Sequence, residues 1–179
     1  MRILALVYDK DGQESSRVWL NNASETVHQI CCIKGCREAL GWTYPYCARH
    51  LDDIFGVCVR PSEIHGMGLF ATREFAKGEP IVPLGGEVIT PALLQARYSA
   101  TGDPDCTATY AITVGNGIVD ALRLRHAWAF ANHHDSRPNC DLSAEGIVAR
   151  RGIRPGKELL VDYGPRFLFQ GEVKYFLLP

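Results

Sequence analysis

From residue 57 onward the chain is cut into short runs rich in β-branched residues, each closed by Gly, Pro or Asp. The runs cover 57–60, 80–83, 86–90, 110–114, 117–120, 147–150 and 158–162. Runs this short, bounded by turn residues, read as strands of a mostly antiparallel β domain. The turns Lys77-Gly78-Glu79, Val114-Gly115-Asn116-Gly117 and Arg154-Pro155-Gly156-Lys157 separate them. Two stretches have helical composition instead: 91–100, with Pro91 at a good first helical position, and 121–131. The expected fold class is mostly β with short helices.

Residues 1–55 have a different character. Residues 1–8 read as a strand ending at the turn Asp9-Lys10-Asp11-Gly12, and 23–30 as a short helix capped by Asn22 or Ser24. The opening segment is too short, and lacks a cleavage site, for a signal peptide. No apolar run approaches the roughly 20 residues of a membrane helix. A length of 179 residues suits one domain with a small module attached. Apolar residues make up 46% and charged residues 22%, a globular composition. A net charge of -1 gives no direct nucleic-acid signal and no anionic-membrane signal, and Arg150, Arg151 and Arg154 read as a solvated turn.

Seven cysteines are an odd number, and without a secretion signal they point to a reducing, intracellular compartment. Cys58, Cys106 and Cys140 are scattered, whereas Cys31, Cys32, Cys36 and Cys47 crowd together. Cys32, Cys36, Cys47 and His50 read as Cys-x3-Cys, ten residues, then Cys-x2-His, a set suited to a closed tetrahedral zinc site within 31–50. Cys31 is the alternative to Cys32. Buried free thiols are the competing reading.

Three segments of the β region carry polar or glycine chemistry. His65-Gly66-Met67-Gly68-Leu69-Phe70-Ala71 places two glycines where backbone can approach a ligand closely. Phe130-Ala131-Asn132-His133-His134-Asp135-Ser136-Arg137-Pro138-Asn139-Cys140 sets amides and imidazoles beside apolar residues. Gly156-Lys157-Glu158-Leu159-Leu160-Val161-Asp162-Tyr163-Gly164 is a turn, a strand and a Tyr beside a Gly. Singly, each is also explained as a turn, a solvated loop or an edge strand.

In this order the segments resemble the SET-domain family of protein lysine methyltransferases, over roughly 57–176. Gly86-Glu87-Val88-Ile89, Val119-Asp120-Ala121, Asn132-His133 with Pro138-Asn139-Cys140, and Glu158-Leu159 with Asp162-Tyr163-Gly164 resemble further family motifs. The tail through Tyr163-Gly164-Pro165-Arg166-Phe167 and Lys174-Tyr175-Phe176 resembles the histone H3 lysine 9 branch. The resemblance implies a β-clip-like SET fold over 56–164, with a pseudoknot in which the segment around 132–140 threads under the loop leading to Tyr163. A zinc module would precede it, and 165–179 would be a channel-closing tail.

It further implies an S-adenosyl-L-methionine-dependent transfer of methyl to a lysine on a flexible protein tail, a histone by family default, in the nucleus or cytoplasm. Ile64, His65, Gly66, Met67, Gly68, Asn132, His133 and Tyr163 would hold the cofactor. Tyr163 and Tyr110 would be catalytic, and Tyr110, Phe130, Val161 and Phe167 would line the lysine channel. The sequence departs from the family at Leu84, Ala129, His134 and Val161, has one extra residue between Asn132 and Pro138, and lacks a post-SET cysteine cluster. Those departures keep open a catalytically weak or inactive domain that binds a protein tail. A zinc hydrolase built on His133 and His134 is disfavoured, since neighbouring strand residues point apart.

Overall fold

The computed structural model describes residues 2–8, 14–21, 30–99, 110–114, 117–122, 124–163 and 176–177. Strands β1 (Arg2–Tyr8) and β2 (Glu14–Asn21) pair antiparallel as a separate hairpin. The strand over 1–8 was expected and β2 was not. The helix expected at 23–30 falls largely outside the described residues.

Helix α1 (Ala48–Phe55) turns Leu51 and Phe55, four residues apart, into the core. It stops at Gly56, whose φ of 67° is left-handed and whose N–H donates to the Asp52 carbonyl at 2.7 Å. Strands β3 (Val57–Pro61) and β4 (Met67–Ala71) then form an antiparallel hairpin. Its turn is closed by Ser62 N–H donating to the Gly66 carbonyl at 2.9 Å.

The remaining strands make two sheets. Strands β6 (Glu87–Ile89), β7 (Ala111–Val114), β8 (Gly117–Asp120) and β13 (Phe176–Leu177) form one, in the order β13-β7-β8-β6. Helix α2 (Pro91–Ser99) follows β6. Strands β5 (Pro80–Pro83), β9 (Asn132–His133), β10 (Cys140–Ser143), β11 (Gly146–Ala149) and β12 (Leu160–Val161) form the other, in the order β5-β11-β10-β12-β9. The chain is mostly β with short helices, as expected.

The position of β12 brings distant motifs together. It pairs parallel with β9 on one side and β10 on the other, so the later strand lies between two earlier ones. The connection 134–139 must pass across it. His134 N–H donates to the Val161 carbonyl at 3.0 Å and Asn139 N–H to the Leu160 carbonyl at 2.9 Å. The Asn139 side chain completes the crossing, accepting from Leu160 N–H and donating to the Glu158 carbonyl, each at 2.8 Å. This is the crossing the resemblance implied. A two-residue strand has few ladder bonds, each worth about 1 kcal/mol net. Burial of Leu159 and Val161, fully enclosed side chains worth about 2 kcal/mol each, holds the crossing more strongly than the ladder does.

The main core holds Leu51, Val57, Leu69, Phe75, Ile112, Ile147, Leu159 and Val161, and a second cluster of Ile89, Leu94, Ala111 and Ile118 packs α2 against β6 to β8. A buried ion cluster ties α2 to the β6/β8 pair. Arg97 donates to Glu87 at 2.6 and 3.2 Å and also to Asp120.

The helix expected at 121–131 is not there. Only a 3-10 turn, Ala127–Phe130, forms. Its backbone partners lie elsewhere in the fold: Ala121 N–H donates to the Tyr110 carbonyl and the Arg125 carbonyl accepts from Tyr44 N–H, both at 2.8 Å. Trp128 Nε1 donates to the Gly85 carbonyl at 2.6 Å. Tertiary bonds replace the helical ladder.

Candidate active site

The glycine segment reaches the site through β4. Phe70 bridges Glu158, Leu159 N–H donates to the Leu69 carbonyl at 2.7 Å, and Ala71 N–H donates to the Lys157 carbonyl at 2.9 Å. Gly68 therefore sits against the Glu158 side chain. A Cβ at Gly68 would lie 2.3 Å from Glu158 Oε1.

That carboxylate organises the neighbourhood. Glu158 Oε1 accepts from Ser62 Oγ at 2.7 Å and from Asn132 Nδ2 at 2.8 Å. Ser62 Oγ in turn accepts from Ile64 N–H at 2.9 Å. The Asn132 amide nitrogen also meets the carbonyls of His65 at 3.1 Å and Met67 at 3.4 Å. Gly68, Ser62 and Asn132 thus meet one carboxylate, with Ile64 joined through Ser62 and His65 and Met67 through Asn132. Glu158 was read only as a motif letter. Its signal was an acidic residue opening the apolar run Leu159-Leu160-Val161.

The second half of the site is built by the crossing. Tyr163 follows β12, and His133 ends β9. Their rings stack with centroids 5.1 Å apart and an interplanar angle of 28°. Tyr163 N–H donates to His133 Nδ1 at 3.0 Å, and the Tyr163 hydroxyl donates to the Ala131 carbonyl at 2.7 Å. Burial holds the phenol well above its ordinary pKa, and nearby Tyr110 adds to the shift, so the hydroxyl stays neutral. Tyr110 carries the Arg125 guanidinium over its ring, 4.5 Å from the centroid.

Phe130 and Val161 lie in the main hydrophobic core, and Val161 is fully buried. Phe167, Cys106 and His28 fall outside the described residues. His134 lies in the loop between β9 and β10, where its Nδ1 accepts from Arg137 N–H at 3.2 Å. Cys140 is a buried thiol pushed up to about 12 by its burial. His126 is buried, and its Nε2 has no hydrogen-bond partner among the described residues. A cavity of about 510 Å³ opens between α1 and β5, lined by Ile54, Phe55, Ile81, Val82 and Ile147. None of the Tyr163 neighbourhood lines it.

The cysteine-rich stretch converges separately. Ligand atoms of Cys31, Cys36, Cys47 and His50 all lie within 4.8 Å of one another. Cys31, the alternative, takes the place expected for Cys32.

A SET domain model matches residues 66–164. The chain is 32% identical over 123 residues to "Histone-lysine N-methyltransferase trithorax" of Drosophila virilis, covering 62% of this chain and 3% of that protein. It is 31% identical over 136 residues to "N-lysine methyltransferase KMT5A-A" of Danio rerio, covering 66% of this chain and 40% of that protein. It is 31% identical over 111 residues to "Histone-lysine N-methyltransferase set-2" of Caenorhabditis elegans, covering 57% of this chain and 7% of that protein. The matched region is thus less than half of each relative. The names do not mention lysine 9. Among the described residues, no helix is long and apolar enough to cross a membrane.

Proposed function

The chain belongs to the SET-domain family of lysine methyltransferases, and from that premise we propose that it transfers a methyl group from S-adenosyl-L-methionine to a lysine on a flexible protein tail. The observation that carries this reading is the joining of two halves by one crossing: the His65–Met67 carbonyls at Asn132, and the Tyr163 hydroxyl at Ala131.

The donor set fits the cofactor's amino-acid end. An ammonium needs convergent acceptors. The His65 and Met67 carbonyls converge on Asn132, which donates through its amide nitrogen and has Oδ1 able to accept. His133 would add backbone contacts. When bound, the cofactor supplies an electrophilic methyl group.

The chain's own residues would prepare the amine. A free lysine has a pKa near about 10.4 and is mostly protonated, so it cannot attack. Enclosure beside Tyr163 and Tyr110 disfavours the ammonium form. The Tyr163 hydroxyl donates a hydrogen bond to the Ala131 carbonyl, so its oxygen lone pairs would accept an amine N–H and aim the nitrogen lone pair. Such alignment in a water-poor site supplies most of the rate. Polarised carbon–hydrogen contacts from the methyl to backbone carbonyls would add a smaller contribution.

Histone tails are the first substrate class to examine, since relatives are named for histone-lysine transfer; a nuclear location follows from that choice. The test is an array of lysine-bearing tail peptides with methyl-labelled cofactor. Label on lysine peptides, and none on Lys→Arg counterparts, is expected. No label on any peptide, with no heat of cofactor binding by calorimetry, would overturn the reading. Cofactor binding without transfer would favour the tail-binding alternative suggested by Leu84, Ala129 and His134.

A further inference from the structure

We propose that Cys31, Cys36, Cys47 and His50 hold one zinc ion, which fastens the stretch 31–47 to the start of α1 and, through Tyr44, to Arg125 beside Tyr110. The inference is independent of the methyl-transfer reading, since it concerns a separate set of ligands.

The geometry is that of ligands around one centre. Zinc bonds of about 2.3 Å to sulfur and about 2.0 Å to nitrogen set tetrahedral ligand atoms about 3.5 Å (sulfur to nitrogen) and about 3.8 Å (sulfur to sulfur) apart. Cys31 Sγ and Cys47 Sγ each lie 3.3 Å from His50 Nδ1, and Cys36 Sγ lies 4.0 Å from Cys47 Sγ. Both short contacts use the same ring nitrogen, which marks Nδ1 as the ligand atom. Four protein ligands close the shell, so the site is structural.

Local folding presents each ligand. Ile30 bridges Ala39, and Cys31 N–H donates to the Glu38 carbonyl at 3.0 Å, making a small loop around the turn Ile33–Cys36. Gly35 takes φ of 83° in that turn. Cys47 is the N-cap of α1, and His50 lies in its first turn. The ion would therefore join a loop to a helix start.

Cys31, not Cys32, is the cysteine whose sulfur lies with Cys36, Cys47 and His50. Cys32 N–H is instead spent on the Pro45 carbonyl at 3.0 Å. Three thiolates on a doubly charged ion leave one negative charge. Arg49 Nη2 donates to Cys36 Sγ at 3.8 Å and offsets it.

The loop so held reaches the site. Tyr44 N–H donates to the Arg125 carbonyl at 2.8 Å, and the Arg125 guanidinium covers Tyr110. Tyr44 also packs with Leu124 in a small core cluster.

The experiment is metal analysis of the full chain purified without added metal. About one zinc per chain is expected, falling below roughly a tenth in Cys31→Ser and Cys47→Ser and staying near one in Cys32→Ser. Because the first two variants could fail to fold, cobalt titration of the stripped wild-type chain gives a second readout. Tetrahedral visible bands with a thiolate charge-transfer band are expected, and His50→Cys should keep binding with a shifted spectrum. Trypsin should cut at the exposed Lys34 and Arg37 faster in the stripped chain than in the loaded one. A wild-type chain without zinc and without cobalt bands overturns the site. Equal metal loss in Cys32→Ser and Cys31→Ser overturns the ligand set, and unchanged trypsin rates overturn the fastening role.

Discussion

The Tyr163 hydroxyl donates its proton to the Ala131 carbonyl at 2.7 Å, across the point where β12 passes between β9 and β10. The hydroxyl is committed as a donor to the backbone, so toward a bound amine it acts as an acceptor. Tyr163→Phe removes that acceptor and leaves the Ala131 carbonyl without its partner. Turnover on a lysine peptide should fall on the order of 10²-fold, the scale of lost alignment. Cofactor affinity should stay within a few-fold, and stability should drop by about 1–3 kcal/mol from the unpaired carbonyl. Steady-state kinetics, calorimetry and urea melts check the three parts. Near-normal turnover would remove Tyr163 from the mechanism.

Glu158 is the residue on which Gly68, Ser62 and Asn132 meet. Gly68→Ala would set a Cβ 2.3 Å from Glu158 Oε1. The carboxylate would have to leave Ser62 and Asn132, since its Oε1 serves both. Cofactor affinity is expected to weaken by about 10-fold or more, the loss of one charge-assisted hydrogen bond. Calorimetric titration of the variant reads this directly, and unchanged affinity would separate Glu158 from cofactor binding.

His126 gives the fold an acid-sensitive position. Burial lowers its pKa to about 4. The unfolded chain takes up the proton first as pH falls below the ordinary histidine value. The associated stability is therefore complete above about pH 6.5 and is lost as pH falls toward 4, a total of about 3 kcal/mol. Urea melts at pH 7.5 and pH 4.5 should show this loss, on top of any carboxylate contribution. His126→Gln should be less stable at pH 7.5 yet flatter with pH. Equal slopes for the two proteins would exclude His126 as the source.

If the proposed methyl transfer holds, Val161, two residues before Tyr163, would bear on how many methyl groups are added. It offers no hydroxyl to hold a water near the lysine nitrogen, so a methylated amine can turn its lone pair again. Di- or trimethylated peptide is the expected product, and time-resolved mass spectrometry under excess cofactor checks it. Arrest at one methyl group would contradict the argument. Because Val161 is fully buried, Val161→Tyr should also cost about 1–3 kcal/mol through overpacking.

Much of the framework was legible in the chain. The runs at 57–60, 80–83, 110–114 and 117–120 are strands within a residue at either end, because short β-branched runs closed by Gly or Pro have few other folded states. The motif residues from His65 to Gly68, at Asn132 and at Tyr163 could be marked as one family pattern from their order. Residues 121–131 could not be read locally. Their composition favours a helix, but the Tyr44, Gly85 and Tyr110 backbones claim their hydrogen-bonding groups.

The residue types and their order were determined by the sequence alone: a β domain, two glycines before an Asn-His pair, a Tyr after a short strand, and a Cys/His set. Which of them meet was decided only by tertiary structure. Glu87 and Asp120 stand in separate motifs, yet both turn to Arg97, since a buried carboxylate needs a cation and α2 carries one past them. Cys31 and Cys32 have the same local composition, and the path of the backbone past Cys36 and His50 selects Cys31. The crossing of β12 is the largest decision of this kind. Spacing along the chain carries no information on which strand lies between which, and burial of Leu159 and Val161 stabilises the one order that sets Tyr163 beside His133.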